Sequence, residues 1–552
     1  MKIRRSNPSS LFLENVPKEF NTLIWGNNFL WDSQFSTLVE AAMREIMAGR
    51  KVVMTFCAAS LMTCPANPAN HRVICVACQV IQRRQKRVVR KAGIHVSILK
   101  RTGTFPKVAH AQGENLTQQH LLAKTSRGFP VGAYALSELR HDTRRTRLDT
   151  KSVNRGFQVA GWANELIELG QSLVKNHTFS HIFVWNGRRV SDGLIASVLE
   201  QNGISAQCVV TGYSLQTIMI RSGSSLLQNV ERDFDTFRKH NSDFDLAKIE
   251  HYAEEALKEL HRYSSLRGVP GALNFETDRE IHEFVDPFVL VATSNWAIEA
   301  SHLPQARRYE ADDMFRKQLM ALHREMLDSD MRVIVRWHPG LRRANKATNQ
   351  WITELRQLTD TWIHIAPESS ISTETLARSA QLVIDCGTTI GLYSRIIGTP
   401  TISCGPGSRF LPIDRILSSE RSLVEEVKTQ LQDFSANPSQ AIERRLAVEW
   451  VFFGKSRSDD PRQWTKLGGV HGPAYVRQNG IWMDISPRML ALRPSRLRQF
   501  VKVATPSSAN RTTKSLLQPR SKDRRRSSGL SYSRLFRFAQ DRWKGSIDQR
   551  HH

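Results

Sequence analysis

Two short segments in the second half of the chain carry residue types suited to holding a phosphate. VIVRWHPGLRR places His338-Pro339 directly after an apolar run that reads as a buried strand. Further on, LVIDCGTTIGLYSRIIGTP places Asp385-Cys386-Gly387-Thr388-Thr389 in a strand-to-helix turn. The helix should run to Gly398, with Pro400 opening the next strand. Free N–H groups at a helix start, two adjacent hydroxyls and a glycine that permits close approach all favour an anion. An imidazole from a neighbouring strand end could donate to the same phosphate. Helix capping by Thr388 and Thr389 and simple packing of His338 are the alternative reading.

A second group of residues is suited to a metal. TFCAASLMTCPANPANHRVICVACQ contains Cys57, Cys64, Cys75 and Cys78, a CxxC pair preceded by two more thiols after a strand. Four thiols can hold a structural zinc tetrahedrally. The spacing is looser than a zinc ribbon's, so buried or redox-active thiols are the alternative. The total of seven cysteines is ordinary for a reducing compartment, and the odd number gives no disulfide framework. Cys208, Cys386 and Cys404 fall on predicted strands and read as core.

These residues need a scaffold, and the hydropathy pattern supplies one. An amphipathic stretch at 36–49 leads into the strand KVVMTF, and GIHVSIL follows from Gly93. A helix-like GWANELIELGQSLVKN precedes HIFVWNG, then VSDGLIASVLEQNGI reads as a helix capped by Ser191 or Asp192, then AQCVV as a strand. Two helical patterns at 226–240 and 243–263 precede YSSLRGVPGALN, whose Gly, Pro and Ser content marks an inter-domain linker. A second series comprises PFVLVATS, a helix near 312–327, MRVIVRWHPG, TWIHIAP, QLVIDCGTT and TPTISCG, closed by helices near 419–432 and 441–453. Short apolar strands separated by helices predict parallel α/β sheets. The expected division is 1–275, 276–455 and an extension with a basic tail at 456–552. No GxGxxG, P-loop, HExxH or kinase motif is present, which removes those enzyme classes.

The chain of 552 residues carries 78 Lys and Arg against 52 Asp and Glu, a net charge of +26. Residues 485–552 alone account for +14, and the remaining +12 is ordinary for a folded protein of this size. The segment SYSRLFRFAQDRWKG interleaves Arg and Lys with Leu, Phe and Trp, which suits an anionic membrane surface, with a solvated extension as the alternative reading. Nucleic acid ranks lower as a partner, because no recognised binding motif accompanies the charge. The N-terminal MKIRRSNPSSLFLENVPKEF has no apolar core of a secretory signal, and no run of about 18 apolar residues occurs. The expected location is cytoplasmic, with peripheral attachment to the inner face of the plasma membrane.

VRWHP followed by PESSISTETLARSAQLVIDCGTTIGLYSRIIGTP resembles the C-terminal half of GT-B glycosyltransferases of the bacterial capsule and surface-polysaccharide group. The HP with a Ser/Thr pair resembles the CMP-sugar-using Kdo- and sialyltransferase type. The resemblance implies α/β architecture of the GT-B kind, two Rossmann-like domains facing a central cleft. It also implies that His338, Pro339, Gly387, Thr388 and Thr389 bind the donor nucleotide. FVLVATSNWAIEA resembles the opening of the donor domain, which brings in Ser294 and Glu299. VWNGRRVSDGLIASVLEQNGI resembles an acceptor-domain motif that would turn Asn186 and Arg188 to the cleft. Asp192 is the positional choice for the general base. Relatives often carry Glu where this chain has Tyr393, a Glu that can hold the ribose. Cys-rich openings also occur among relatives. The implied donor is a nucleotide-sugar, CMP-linked by preference, and the acceptor a polysaccharide or glycolipid. No DxD motif stands near a strand end, so no catalytic cofactor is expected, and zinc would be structural. Nucleotide-sugar epimerase, polyol-phosphate transferase and a non-catalytic scaffold are the alternatives on the same fold.

Overall fold

The computed structural model describes residues 10–26, 32–64, 67, 72–102, 116–143, 148–211, 217–224, 230–241, 249–266, 286–293, 311–327, 331–339, 341, 346–369, 371–386, 388–404, 420–432, 438–458, 460–463, 465–467, 474–478 and 481–484. The basic tail, Gly387, Ser294 and Glu299 lie outside them.

Strands β1 (Ser10–Glu14), β2 (Thr22–Trp25), β3 (Val52–Cys57), β4 (His95–Thr102), β5 (His181–Trp185), β6 (Ser205–Thr211) and β7 (Thr217–Ser222) build most of the first sheet. Its parallel core runs β4-β3-β2-β5-β6, while β1 and β7 close its two sides antiparallel. Helices α1 (Asp32–Met47), α2 (Arg72–Lys91), α3 (Gln118–Leu122), α4 (Val131–Thr143), α5 (Thr150–Asn176) and α6 (Ile195–Gln201) accompany it. Alternate strand residues feed opposite faces: Val53 joins the core with α4 and α5, and Val52 and Met54 join the core with α1 and α2. Such a side chain contributes roughly 1.5–3 kcal/mol when fully buried, so two-sided burial fixes the register firmly.

After helices α7 (Val230–His240) and α8 (Ile249–Leu266), the second sheet begins. Its strands β8 (Phe288–Ala292), β9 (Arg332–Arg336), β10 (Ile363–Ile365), β11 (Leu382–Asp385) and β12 (Thr401–Ser403) are all parallel, in the order β10-β9-β8-β11-β12. Val289 and Val291 face one core, Phe288 and Leu290 the other. Helices α9 (Ala311–Met326), α10 (Lys346–Leu358), α11 (Thr373–Ser379), α12 (Thr389–Ile397) and α13 (Glu420–Gln432) cover the faces. Gly398 ends α12 at φ +85°, the left-handed stop that its sequence predicts.

Both parallel cores share one winding. In chain order, the five parallel strands of each run 3-2-1-4-5, the Rossmann sequence. The α/β class and the two Rossmann-like units expected from the sequence are therefore what the chain forms. One boundary differs. Tyr263–Leu266, read as the start of a linker, complete α8, because the 3.6-residue apolar period of Ile249, Tyr252, Ala253, Ala256, Leu257 and Leu260 carries the helix onward.

The end of the described chain returns to the first unit. Helix α14 (Pro438–Ser458) packs on α8 and α12, with Arg444 paired to Glu250 and Glu449 holding Arg238 of α7 at 2.8 Å. Strand β13 (Asp460–Pro461) then pairs with β7. Glu40 of α1, fully buried, accepts from Gln463 N at 2.9 Å and Thr465 N at 2.7 Å. Arg462 donates to the hydroxyls of Ser36 (3.3 Å) and Thr37 (2.5 Å). A small antiparallel sheet of β14 (Thr465–Leu467), β15 (Ala474–Gln478) and β16 (Ile481–Asp484) lies beyond, its first two strands against α1. Strand β13, Arg462, Gln463 and Thr465 are thus tied to the first unit.

Candidate functional site

In an open α/β sheet, ligands bind where strand order reverses, at the carboxyl ends of the strands. In the second unit that point lies between β8 and β11. Thr293 follows β8; its N–H donates to Arg336 O at 3.1 Å, and its Oγ1 accepts from His338 N at 2.9 Å. His338 is thereby tied to the end of the neighbouring strand. Asp385 ends β11, fully buried, and its Oδ1 accepts from Thr388 N at 2.8 Å and Thr388 Oγ1 at 2.6 Å. Thr388 in turn accepts from Ile390 N at 3.2 Å as the N-cap of α12. The alternative reading of Thr388 as a cap is what the geometry shows. Thr389, the first residue of the helix, is exposed.

The electrostatics of this end are set by Arg336. Its buried guanidinium donates to Ala366 O, to Ser369 O at 3.1 Å and to Thr373 Oγ1 at 3.4 Å. Burial pushes the His338 imidazole down to about 4, and the Arg336 charge adds to the shift. At neutral pH His338 is a neutral ring that can donate one hydrogen bond. Pro339 follows it, half-buried. Gly391 packs so tightly that a Cβ there would lie 2.2 Å from Asp385 Oδ2. Tyr393, at the place where relatives carry Glu, is buried in the core with α8 and α14, under the guanidinium of Arg378. Glu374 on α11 is the carboxyl near it, pushed by burial up to about 7.

In the first unit the switch point lies between β2 and β5, and Asn186-Gly187-Arg188 stands at the carboxyl end of β5. Asn186 and Gly187 both adopt left-handed backbone, φ +61° and +68°. The turn continues into a π-helical turn, Val190–Leu194, which opens α6. Arg189, next to Arg188, is anchored to α4. It is buried and donates to Glu138 Oε1, to His141 Nδ1 at 2.7 Å and to Asp142 Oδ1 at 3.2 Å. Glu138 Oε2 also accepts from Val190 N at 3.0 Å. Ser137 Oγ donates to Arg188 O at 3.1 Å, and Tyr134 Oη to Gly193 O at 3.2 Å. The α4 residues in this set are 134, 137, 138, 141 and 142, one stripe at helical spacing.

As a helix cap, Asp192 departs from the sequence reading. It caps nothing, since the helix cap at Arg189 has no side-chain bond, and Ser191 likewise sits inside the π turn. Asp192 is 2% exposed, accepts from Ser191 Oγ at 3.2 Å, and burial with the Glu138 charge pushes its carboxyl up to about 8. The sequence signal for this network was the spacing Tyr134-Ser137-Glu138-His141-Asp142, which on its own looks like a solvated face.

Of the four clustered thiols, Cys57 ends β3 and Cys75 and Cys78 share the first turns of α2; all four are half-buried. Cys75 accepts from Asn67 Nδ2 at 3.1 Å and Cys78 from Gln82 Nε2 at 3.2 Å. Burial raises Cys57 and Cys75 and pushes Cys78 up to about 12, and each thiolate would repel its neighbours. Among the described residues no group of three or more His, Cys, Asp or Glu side chains is placed to hold a metal, so the zinc expectation gains no support from the geometry. Cys208, Cys386 and Cys404 are buried, the last two with sulfurs 3.6 Å apart.

No protein-family model matches the sequence, and no curated protein matches it. Solved structures similar to it include the β-Kdo 2,7 transferase KpsC of Thermosulfurimonas dismutans, 11% identical over 61% of this chain and 90% of that one, TM-score 0.27. The UDP-GlcNAc 2-epimerase of Methanocaldococcus jannaschii, in complex with UDP-GlcNAc and UDP, is 12% identical over 78% of this chain and 98% of its own, TM-score 0.27. The α,α-trehalose 6-phosphate synthase of Burkholderia multivorans is 9% identical over 79% and 98%, TM-score 0.33. Among the described residues no helix is long and apolar enough to cross a membrane.

Proposed function

We propose that this chain is a glycosyltransferase that takes a sugar from a nucleotide-sugar bound by the second unit. The observation that carries the reading is the coincidence of chemistry with topology. His338, Thr388 and Thr389, singled out from sequence, cluster around the switch point of the second Rossmann-order sheet, and Asn186-Gly187-Arg188 stands at that of the first. The exposed start of α12, the neutral His338 donor and the positive charge of Arg336 favour the donor's phosphate. The acceptor hydroxyl approaches from the turn at 186–188. A CMP-linked donor, a lipid-linked surface-polysaccharide acceptor and an anionic membrane beside residues 485–552 complete the proposal.

Thermal unfolding of the full chain with CMP-, UDP-, GDP- and CDP-linked sugars tests it. A ligand at a hundred times its Kd stabilises by about 2.7 kcal/mol, an easily read shift. The expected result is a response to one nucleotide class that His338→Ala and Thr389→Val diminish. No response to any donor removes the reading. Release of a free, altered sugar from the donor that binds would make the protein an epimerase instead.

A further inference from the structure

The positive charge of the folded body is not spread evenly. Helix α2, Arg72–Lys91, carries seven Arg and Lys and no Asp or Glu, more than half of the +12 that lies outside residues 485–552. Its inner side is set by Ile81, Gln85, Val88 and Val89, all buried. The opposite side is one stripe at helical spacing. It begins with Val76, 38% exposed, and continues through the exposed Arg83, Arg84, Arg87, Arg90 and Lys91. Arg90 and Lys91, in the last turn, complement the helix dipole, and the three before them gain little from it. Arg83 and Arg87 stand four residues apart and Arg87 and Arg90 three, so like charge sits beside like charge at a cost to the helix. Among the described residues no carboxylate pairs with Arg83, Arg87 or Arg90. Burial first, and then the charge of Arg90, push the neighbouring Lys86 ammonium down.

The exposed apolar residues of the first unit gather on the same side. Among the described residues they are Phe12, Met47 and Val76. Val76 is on α2, and Met47 ends α1, the other helix of that face. Phe12 pairs with Lys100, two residues from Ile98, which packs into the core beneath α1 and α2. Glu14, the acid beside it on β1, is held by Lys100 at 2.7 Å. The described residues of α4, α5 and α6, on the opposite face, expose no large apolar side chain. The chain also leaves the fold here: β14 and β15 lie against α1, β16 pairs with β15, and the basic residues 485–552 begin where β16 ends.

We infer that the α1–α2 face of the first unit is a docking surface for an anionic phospholipid membrane, with the α2 cations at the lipid phosphates and Phe12, Met47 and Val76 at the acyl boundary. This rests on the membrane partner proposed for residues 485–552 and adds a second attachment, in the folded body itself. Single attachments to a bilayer are weak and reversible, and two acting together hold. A nucleic-acid backbone would meet the arginines but offers nothing to the three apolar side chains, whereas a bilayer takes both.

Co-flotation of the full chain with vesicles tests the inference, using phosphatidylcholine alone, phosphatidylcholine with phosphatidylglycerol, and duplex DNA as a separate probe. The anionic vesicles should carry the wild type and the neutral ones should not. Each Lys or Arg at an anionic surface strengthens binding about fivefold, so Arg83→Gln, Arg87→Gln and Arg90→Gln together should weaken it at least about tenfold. The Tm should hold or rise, because that variant relieves like-charge neighbours. Val76→Ser should weaken flotation several-fold, and amide exchange across 76–91 should slow on the anionic vesicles. Arg524→Gln, Arg525→Gln and Arg526→Gln should weaken flotation by a factor that multiplies with that of the α2 variant. A wild type that does not float overturns the inference. So does flotation that the α2 variant leaves unchanged, which makes the tail the sole attachment. Binding of duplex DNA that the α2 variant abolishes while flotation persists gives the face to nucleic acid and overturns it too. The nucleotide panel reads the donor site separately, so a failure there is not mistaken for a failure here.

Discussion

The two switch points share one strand order but surround a buried arginine with different groups. At the first, three carboxyls converge on a buried arginine beneath a bent turn. At the second, a buried arginine is held by neutral acceptors beneath a neutral histidine and an exposed helix start. The same topology therefore carries a different set of buried charges at each pair of strand ends. Fold sets where a ligand sits, and the buried charges beneath the strand ends set which ligand it is.

The comparison is most directly broken at its charges. Glu138→Ala would leave Arg189 buried without its main partner and should cost about 3–5 kcal/mol in urea unfolding. The nucleotide response of any folded fraction should persist. Two glycine substitutions form a matched pair. Gly193→Ala and Gly391→Ala each drive a methyl into atoms about 2 Å away, Gly187 O and Asp385 Oδ2 respectively. Each should cost about 1–3 kcal/mol or more. The first should abolish sugar binding and the second nucleotide binding, and loss of both by either variant would sink the separation of sites.

Asp192 gives a pH test. Its folded carboxyl titrates near 8 and its unfolded one near 4, so the folded state holds a proton that the unfolded state has lost between those values. Stability should fall as pH rises through that window. Asp192→Asn should flatten the fall, gaining more than about 1.4 kcal/mol at pH 8 and nothing at pH 4. His338 has the opposite sign. Its folded value is depressed to about 4, so stability is full above pH 6.5 and declines below it. His338→Gln should remove that acid-side decline.

The smallest effects separate two adjacent threonines. Thr388→Val should cost about 1 kcal/mol through the lost cap, whereas Thr389→Val should leave Tm unchanged and weaken nucleotide binding about three- to tenfold.

Much of the scaffold was legible because both sheets are buried on two faces. FVLVA, RVIVR and LVID are short apolar runs with no polar alternation, and their glycine and proline punctuation falls at real ends. His338 and Thr388 were legible for the same reason, since residues just past such strands must lie at the sheet's carboxyl edge. The α4 stripe was not. A polar face at helical spacing ordinarily marks solvent, and nothing local reveals that Arg189 arrives to bury it. Asp192 was misplaced by the same blindness: a Ser-Asp pair before an apolar run looks like a cap until the π turn draws it inward. Arg336 escaped because a single arginine in a strand carries no spacing signal at all.

The latch at Glu40 has a consequence for how the protein is made. Its backbone donor at Thr465 lies 425 residues further along the chain. At about 5–20 residues per second, a ribosome needs on the order of half a minute or more to deliver it. Throughout that time the Glu40 carboxylate, paired with Arg44 of its own helix, lacks the backbone donors of Gln463 and Thr465, and β7 lacks its neighbour at 460–461. The first unit begins synthesis early yet finishes folding late, after the second unit has emerged. A translation product stopped between the two would leave the β7 edge of the first sheet open.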